Sequence, residues 1–315
     1  MANTVGSEIP LKLISDVVIT ETTRALPILA NITTVLDNDA APHSVLAVRT
    51  LQTGVSTWDE TEGYWTVNSA AAERILRFTE HPISGIAISD GEEANEGFIG
   101  IMEDFTKSAA RKLAASFATK FNAVLNAATP VKEFTMGAAG AKVDDVGLLE
   151  LAKLAQDIGS FTIGEGSSAR QYDNDPGNCA LCVSRDLYAR ILSLVGANII
   201  GTGEYIKTGY IPGLCGFAAV VAMDLPAGEV CRVVPKQAII CASRSYKPAT
   251  GGLVAYAEQR NEDTKLLVGV RQSYDPKLGK THVAVDSVFG ICTAFDTDEA
   301  PNAPRIMSVV LTPEA

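Results

Sequence analysis

Histidine is scarce in this chain, and it has no basic surplus, no long apolar run and no recognisable catalytic motif. The three histidines are His43, His81 and His282. None has another histidine or a carboxylate at metal-ligand spacing, so no metal centre and no histidine-based acid–base chemistry is signalled. A GxSxG nucleophile elbow and a phosphate-cradling P-loop are both missing. Carboxylates are plentiful but scattered, and no two stand out as a general acid and base. The expectation is a protein that is not an enzyme, with no catalytic residues, no cofactor and no metal.

Lysine and arginine number 26 against 37 aspartates and glutamates, a formal net charge of −11. Such a surface repels phosphate backbones, which excludes sequence-specific nucleic-acid binding while remaining compatible with a wall around packed DNA. The longest nearly uncharged apolar stretch, Leu214 to Met223, is too short to span a bilayer, so no membrane partner is expected. The first charges are Glu8, Lys12 and Asp16, with no basic leader before an apolar run. The protein is expected to be soluble and cytoplasmic when made.

Two short patterns resemble functional motifs without their context. Gly164-Glu165-Gly166-Ser167-Ser168-Ala169 fits a loose GxGxxA dinucleotide pattern, but the acidic, turn-forming Gln171-Tyr172-Asp173-Asn174-Asp175-Pro176 follows where a helix is needed. Cys179-Ala180-Leu181-Cys182 is a CxxC inside an apolar strand pattern, which points the two thiols to opposite faces. With Cys215, Cys231, Cys241 and Cys292 they are expected to be reduced, most of them buried as small hydrophobes.

The chain has a distinct order of parts. Ile14, Val17, Val18, Ala25, Leu26 and Leu29 recur at helix-like spacing interrupted by Pro10 and Pro27, an apolar arm with no partner nearby in sequence. Ser44 to Thr53 and Ile75 to Ile88 are extended, the second broken by Pro82. They flank a long connection carrying Trp58, Tyr64 and Trp65, a projecting hairpin whose aromatic tip suits an intermolecular contact.

Gly91 to Ala128 predicts one long helix, opened by a capping box at Ser89 and Glu92 and ended before Pro130. Its apolar stripe is Phe98, Ile101, Met102, Phe105, Ala109, Leu113, Phe117, Phe121 and Leu125. At about 1.5 Å per residue the rod is roughly 50 Å long. A Gly/Ala linker, Thr135 to Ala141, leads to a helix over Asp144 to Ile158 closed by Gly159. A mixed α/β stretch follows: strand Asn178–Val183, helix Arg185–Leu194, loop Gly201–Pro212, then strands Cys215–Met223 and Val230–Cys241. Strands Leu253–Glu258, Lys265–Gln272 and His282–Ile291 come next, the latter two joined by the turn Asp275-Pro276-Lys277-Leu278-Gly279. Val283, Val285, Phe289 and Ile291 share a face, and the proline-bearing tail after Phe295 is an extended arm.

Arm, hairpin, long helix, α/β unit and long strands, in that order, resemble the HK97-type major capsid proteins of tailed double-stranded DNA bacteriophages. The stretch Gly209-Tyr210-Ile211-Pro212-Gly213-Leu214-Cys215-Gly216-Phe217, with Met223-Asp224-Leu225-Pro226, is similar to that family's glycine–apolar–Gly-Phe strand ending in Leu-Pro. Cys182-Val183-Ser184-Arg185-Asp186-Leu187-Tyr188 resembles its strand running into a helix with an aromatic residue, and Ile88-Ser89-Asp90 precedes the helix as there. The resemblance implies an α+β HK97-type fold: N-terminal arm 1–43, E-loop hairpin 44–88, spine helix and P-domain part 89–143, A domain 144–250, P-domain strands 251–295 and C-terminal arm 296–315.

It also implies an icosahedral shell enclosing the phage genome. The partners implied are copies of the chain in hexamers and pentamers, portal and scaffold or decoration proteins, and double-stranded DNA held without sequence-specific binding. The shell would be assembled in the host bacterial cytoplasm and end in the virion. Ile14, Val18, Leu26, Trp58, Tyr64 and Trp65 are the expected assembly contacts, buried only when neighbours arrive. Deleting residues 1–30 is accordingly expected to leave a foldable subunit that builds no regular shells. An encapsulin-like nanocompartment shell shares the fold implied, and a soluble α/β enzyme with an unrecognised site is the remaining alternative.

Overall fold

The computed structural model describes residues 14–22, 33–36, 45–53, 69–90, 98–160, 175–196, 209–244, 255–261, 265–294 and 306–314. In chain order the first elements are helix α1 (residues 14–22), β1 (Thr33–Leu36), β2 (Val45–Thr53), β3 (Ser69–Arg77) and β4 (Ile83–Ser89). Then come α2 (Phe98–Ala127), β5 (Glu133–Met136), α3 (Leu148–Ser160), β6 (Cys179–Val183), α4 (Arg185–Gly196), β7 (Tyr210–Leu214) and β8 (Phe217–Ala222). The remaining described elements are strands: β9 (Glu229–Pro235), β10 (Ile239–Arg244), β11 (Ala255–Arg260), β12 (Leu267–Asp275), β13 (Lys280–Asp286), β14 (Val288–Thr293) and β15 (Met307–Leu311). The chain falls into two units, one of residues Met1–Ser44, Arg77–Val124 and Ile240–Ile291, the other of Val45–Leu76, Leu125–Ile239 and Cys292–Ala315.

The first unit is built on α2 and an antiparallel sheet of order β11-β12-β13-β4. Alternation puts Val268 and Val270 of β12 and Val283 and Val285 of β13 on one face, in a register that sets Val270 opposite Val285. Phe105, Ala109, Ala110 and Leu113 of α2 pack on that face together with Val18 and Ile19 of α1. The turn between β12 and β13 forms as its residues predict: Lys277 N–H donates to Asp275 Oδ1 at 2.9 Å, and Gly279 takes φ +57°. A second sheet, β1-β10-β14, supplies Phe289, whose ring centroid lies 5.1 Å from that of Phe117 on α2.

The second unit contains a six-stranded mixed sheet of order β5-β15-β9-β6-β8-β7. Leu151, Leu154 and Ile158 of α3 and Leu187, Ile191 and Val195 of α4 pack with Leu181, Val183, Val220, Cys231 and Val233 from one side of it. Every residue of β6 is buried, the signature of a strand covered on both faces. Across the opposite side run Ser308, Arg232 and Cys182, neighbours in register. Arg232 is 2% exposed and forks onto Glu229, with Nη2 donating to Oε1 at 2.9 Å. Its Nη1 donates to the carbonyls of Leu125 and Ala128, at the end of the helix where carbonyls lose their i+4 N–H donors. A buried cation at the negative end of the helix dipole thus closes α2.

Several predicted boundaries move, each for a local reason. The helix is described from Phe98, and its 30 residues make a rod of about 45 Å; Asp90 is helical, but Glu92 of the expected capping box lies outside the described residues. Ile101, placed on the inward stripe, is 40% exposed. Ile75 to Ile88 is two strands interrupted around Pro82: β3 pairs with β2, whereas β4 joins β13. Val230 to Cys241 likewise divides after Pro235, into β9 and β10 of different sheets. His282 to Ile291 divides between Asp286 and Val288, so Val283 and Val285 do not share a sheet face with Phe289 and Ile291. Gly159 lies inside α3 and does not close it, and the helix starts at Leu148 after a single 3₁₀ turn over Val143–Asp145.

Pro212, taken as loop, sits in β7, an edge strand, where its missing N–H costs no ladder bond. The C-terminal arm is corrected most. Met307 to Leu311, expected within an extended arm, is strand β15 of the six-stranded sheet, parallel to β5 and antiparallel to β9, with Met307 and Val309 buried.

Replacing Arg232 with methionine strips its partner from partly buried Glu229 and reopens the end of α2. R232M should lower the unfolding free energy by about 3–5 kcal/mol in urea titration. Lys120 Nζ lies 2.7 Å from Glu80 Oε1, and that hydrogen bond holds the carboxyl below its usual pKa of 4.5, against the opposing effect of partial burial. The pair therefore stabilises fully above that value and fades as pH falls through the lower folded one. K120M should flatten the acid limb of a melting-temperature profile below about pH 5.

Candidate functional site

The surfaces through which the chain could meet partners are easier to place than any reacting centre. Among the described residues no three His, Cys, Asp or Glu side chains stand together as a metal would require. Five of the six cysteines lie in strands, and none of the six is in a disulfide. Cys179 and Cys182 both belong to β6 and are wholly buried, as expected of small hydrophobes. Burial pushes the Cys182 thiol up to about 12, although Arg232 nearby pulls the other way, and it raises Cys231 further. Neither is a nucleophile at neutral pH. The GxGxxA stretch, Gly164 to Ala169, lies outside the described residues.

One open cleft of about 630 Å³ runs between the 3₁₀ turn and α4, lined by Lys142, Asp144, Asp186, Arg190 and Ser193 among others. Its polar groups are engaged locally. Arg190 Nε donates to the Val146 carbonyl at 3.1 Å, and Ser193 Oγ donates to the Arg190 carbonyl at 2.6 Å. Two carboxylates facing two cations suit a polar contact better than bond-making chemistry.

The stretch from Gly209 to Phe217 forms the β7–β8 hairpin of the six-stranded sheet, with Phe217 anchored in the core at 2% exposure. Its turn takes positive φ at Gly213, Cys215 and Gly216, +58°, +53° and +91°. At Gly213 nothing lies within 4 Å of where a Cβ would stand, so the glycine there serves the backbone, not packing. Cys215 Sγ donates to the Leu148 carbonyl at 3.6 Å, which brings the turn to the start of α3. There Leu149 is 70% exposed and Leu148 37%, an apolar pair on the surface beside a tight turn.

The predicted contact residues divide. Val18 is completely buried and packs among Phe105, Ala109, Leu113 and the valines of β12 and β13, with Ile14 partly buried against the same cluster. Both were expected to be covered only by neighbouring copies. They are covered by their own subunit, because α2 and the sheet leave an apolar trough that α1 fills. Val17, 44% exposed, is an apolar residue of that helix that faces solvent, as do Thr20 and Glu21. Leu26, Trp58, Tyr64 and Trp65 lie outside the described residues. The strands leading to the aromatic connection, β2 and β3, pair with each other in a two-stranded sheet.

No protein-family model matches the chain, and no curated protein matches it. Solved structures do. The capsid of Ralstonia phage GP4 aligns over 90% of this chain and 89% of its own at a TM-score of 0.52 and 8% identity. The capsid of cyanophage P-SCSP1u aligns over 90% and 88% at 0.50 and 11%. The fold is that of phage capsid proteins. At such identities the likeness lives in topology, not in shared side chains. The capsid fold accounts for the order of α2, the six-stranded sheet and the late strands across almost the whole chain. In this chain the Gly209–Phe217 stretch is a glycine-rich turn between an edge strand and a core strand.

The burial of Val18 overturns the expected outcome of deleting residues 1–30. Removing 14–22 exposes the apolar trough, so that truncation should fail to give a stable subunit at all. V18A should lower stability by about 1 kcal/mol or more in chemical unfolding, whereas V17S at the exposed position should stay within about 0.5 kcal/mol of the parent.

Proposed function

We propose that this chain is the major capsid subunit of a tailed double-stranded DNA bacteriophage, self-assembling into the icosahedral shell that encloses the genome. The observation that carries this reading is the capsid fold over 90% of the chain, matched by nearly the full length of the capsid chains it resembles. In HK97-type terms α2 is the spine helix, β2 and β3 are the stems of the E-loop, and the six-stranded sheet with α3 and α4 is the A domain. The sheet β11-β12-β13-β4 belongs to the P domain, and residues 1–43 to the N-terminal arm. The subunit works mechanically and catalyses nothing.

Copies of the chain are the principal partners, as hexamers and pentamers, with portal and scaffold or decoration proteins beside them. Assembly takes place in the bacterial cytoplasm and ends in the virion. The driving force is burial of apolar surface at about 25 cal/mol per Å², small at each contact and large when summed over a closed shell. Leu149 and Leu148, beside the β7–β8 turn, are exposed apolar side chains on the A domain that suit contacts around a capsomer. An acidic wall, net −11, lets packed DNA slide without sticking.

The test is the size of the purified protein by light scattering and negative-stain imaging. Megadalton closed particles are expected, and a stable small oligomer would overturn the shell reading. L149E should leave the subunit folded, since Leu149 contributes little to its core, but should abolish particles. Normal particles from L149E would remove that side chain from the contact.

A further inference from the structure

One face of α2 is used inside its own unit and the other is left to solvent. Phe105, Ala109, Ala110 and Leu113 pack with the valines of β12 and β13, so the opposite face looks outward. Along that face stand Ile101, Asp104, Lys107, Ser108, Arg111 and Ala115, all exposed. The charges on it are ordered. Glu103 and Asp104 share one turn, and Lys107 and Arg111 follow on the next two.

The helix dipole does not account for this order. Its influence is confined to the first and last turns. In α2, Phe98–Ala127, the first turn has no acidic residue and the last has no basic one. Pairing within the helix does not account for it either. Glu103 and Lys107 have the four-residue spacing of a surface pair. Yet among the described residues neither they nor Asp104 and Arg111 take part in an ion pair or a side-chain hydrogen bond. Asp104 and Arg111 are about 10 Å apart along the axis, too far to meet in one copy.

We propose that this face docks on the same face of a second copy, the two helices antiparallel about a two-fold axis beside Ser108. A two-fold contact uses one patch twice, so the patch must be its own complement. Asp104 and Arg111 lie nearly equal distances either side of Ser108, and the antiparallel arrangement sets each against the other on the partner. A parallel arrangement would set acid on acid. Ile101, 40% exposed, then faces the partner's Ala115. Ser108 and Ala115 are small enough for the two helices to approach closely. Each exposed ion pair contributes little by itself, so the contact is weak singly and counts by repetition. The inference rests on the shell reading, which requires contacts between copies without saying which surfaces make them.

Charge reversal in the full chain, read by sedimentation velocity and light scattering, tests the contact. D104R sets two arginines together across the axis, and R111D sets two aspartates together. Each should raise the protein concentration needed for assembly on the order of tenfold. Both positions are exposed, so chemical unfolding of the subunit should be unchanged. The swap D104R/R111D rebuilds both pairs with the signs exchanged and should recover assembly. S108W, which holds the helices apart without touching a charge, should weaken assembly as the single reversals do. Parent-like assembly in D104R and R111D, no recovery in the swap, or parent-like assembly in S108W would overturn the contact. If the parent forms particles and the variants do too, the contact alone falls. If the parent stops at a dimer, the shell reading falls, and the same variants read the contact through the dimer population. A parent that stays monomeric removes both.

Discussion

From Phe105 to Leu125 the helix α2 hides an apolar side chain at nearly every third or fourth position, and this stripe organises what surrounds it. A helix of such length is not held by propensity alone; most of its stability comes from burying one face. Phe105, Ala109 and Leu113 give α1 and the valines of β12 and β13 a surface on which to condense. The far end, where carbonyls lose their i+4 donors and the dipole is negative, is closed by Arg232, itself balanced by Glu229. Apolar burial along the helix and a compensated charge at its end are different solutions to the same problem of placing a long rod in a protein.

Two charge clusters make the same physical point in different places. Arg232 and Asp286 are each about 2% exposed, and each has compensating groups: Glu229 beside the one, Arg271 and His81 beside the other. Clusters like these add little net stability over apolar packing of the same volume, but they punish misplacement, because one lost partner leaves a buried charge uncompensated. They therefore specify position. One sets where α2 ends, and the other joins Arg271 of β12 to Asp286 of β13. For a subunit whose proposed work is geometric, position carries more weight than affinity.

Among the described residues, exposed apolar side chains are mostly single. Leu148 and Leu149 differ in being adjacent and in standing beside a turn fixed by positive-φ residues, so their direction is set by rigid backbone. By contrast the helix expected to hold unsatisfied apolar residues, α1, has spent them inside its own unit. Apolar periodicity in sequence marks what will be buried and is silent on which molecule does the burying.

That limit separates what was legible from what was not. The long helix, the strand at Cys179, the hairpin turn at Asp275 to Gly279 and the order of parts followed from periodicity, capping and turn chemistry, all of which act within a few residues. The Gly209–Phe217 hairpin was legible only in part: the strand after it was expected, whereas β7 was taken as loop. The insertion of β15 between β5 and β9 was not, because an edge-to-centre choice depends on strands more than seventy residues away. Nor was the pairing of His81 with Asp286, separated by 205 residues and joined only once β4 and β13 align. Sequence alone determined the long helix, the two shorter helices after it and several of the strands, and that no familiar catalytic motif is present. Tertiary structure decided who covers Val18, where the tail ends and which charges meet, since burial and long-range pairing are properties of the folded whole.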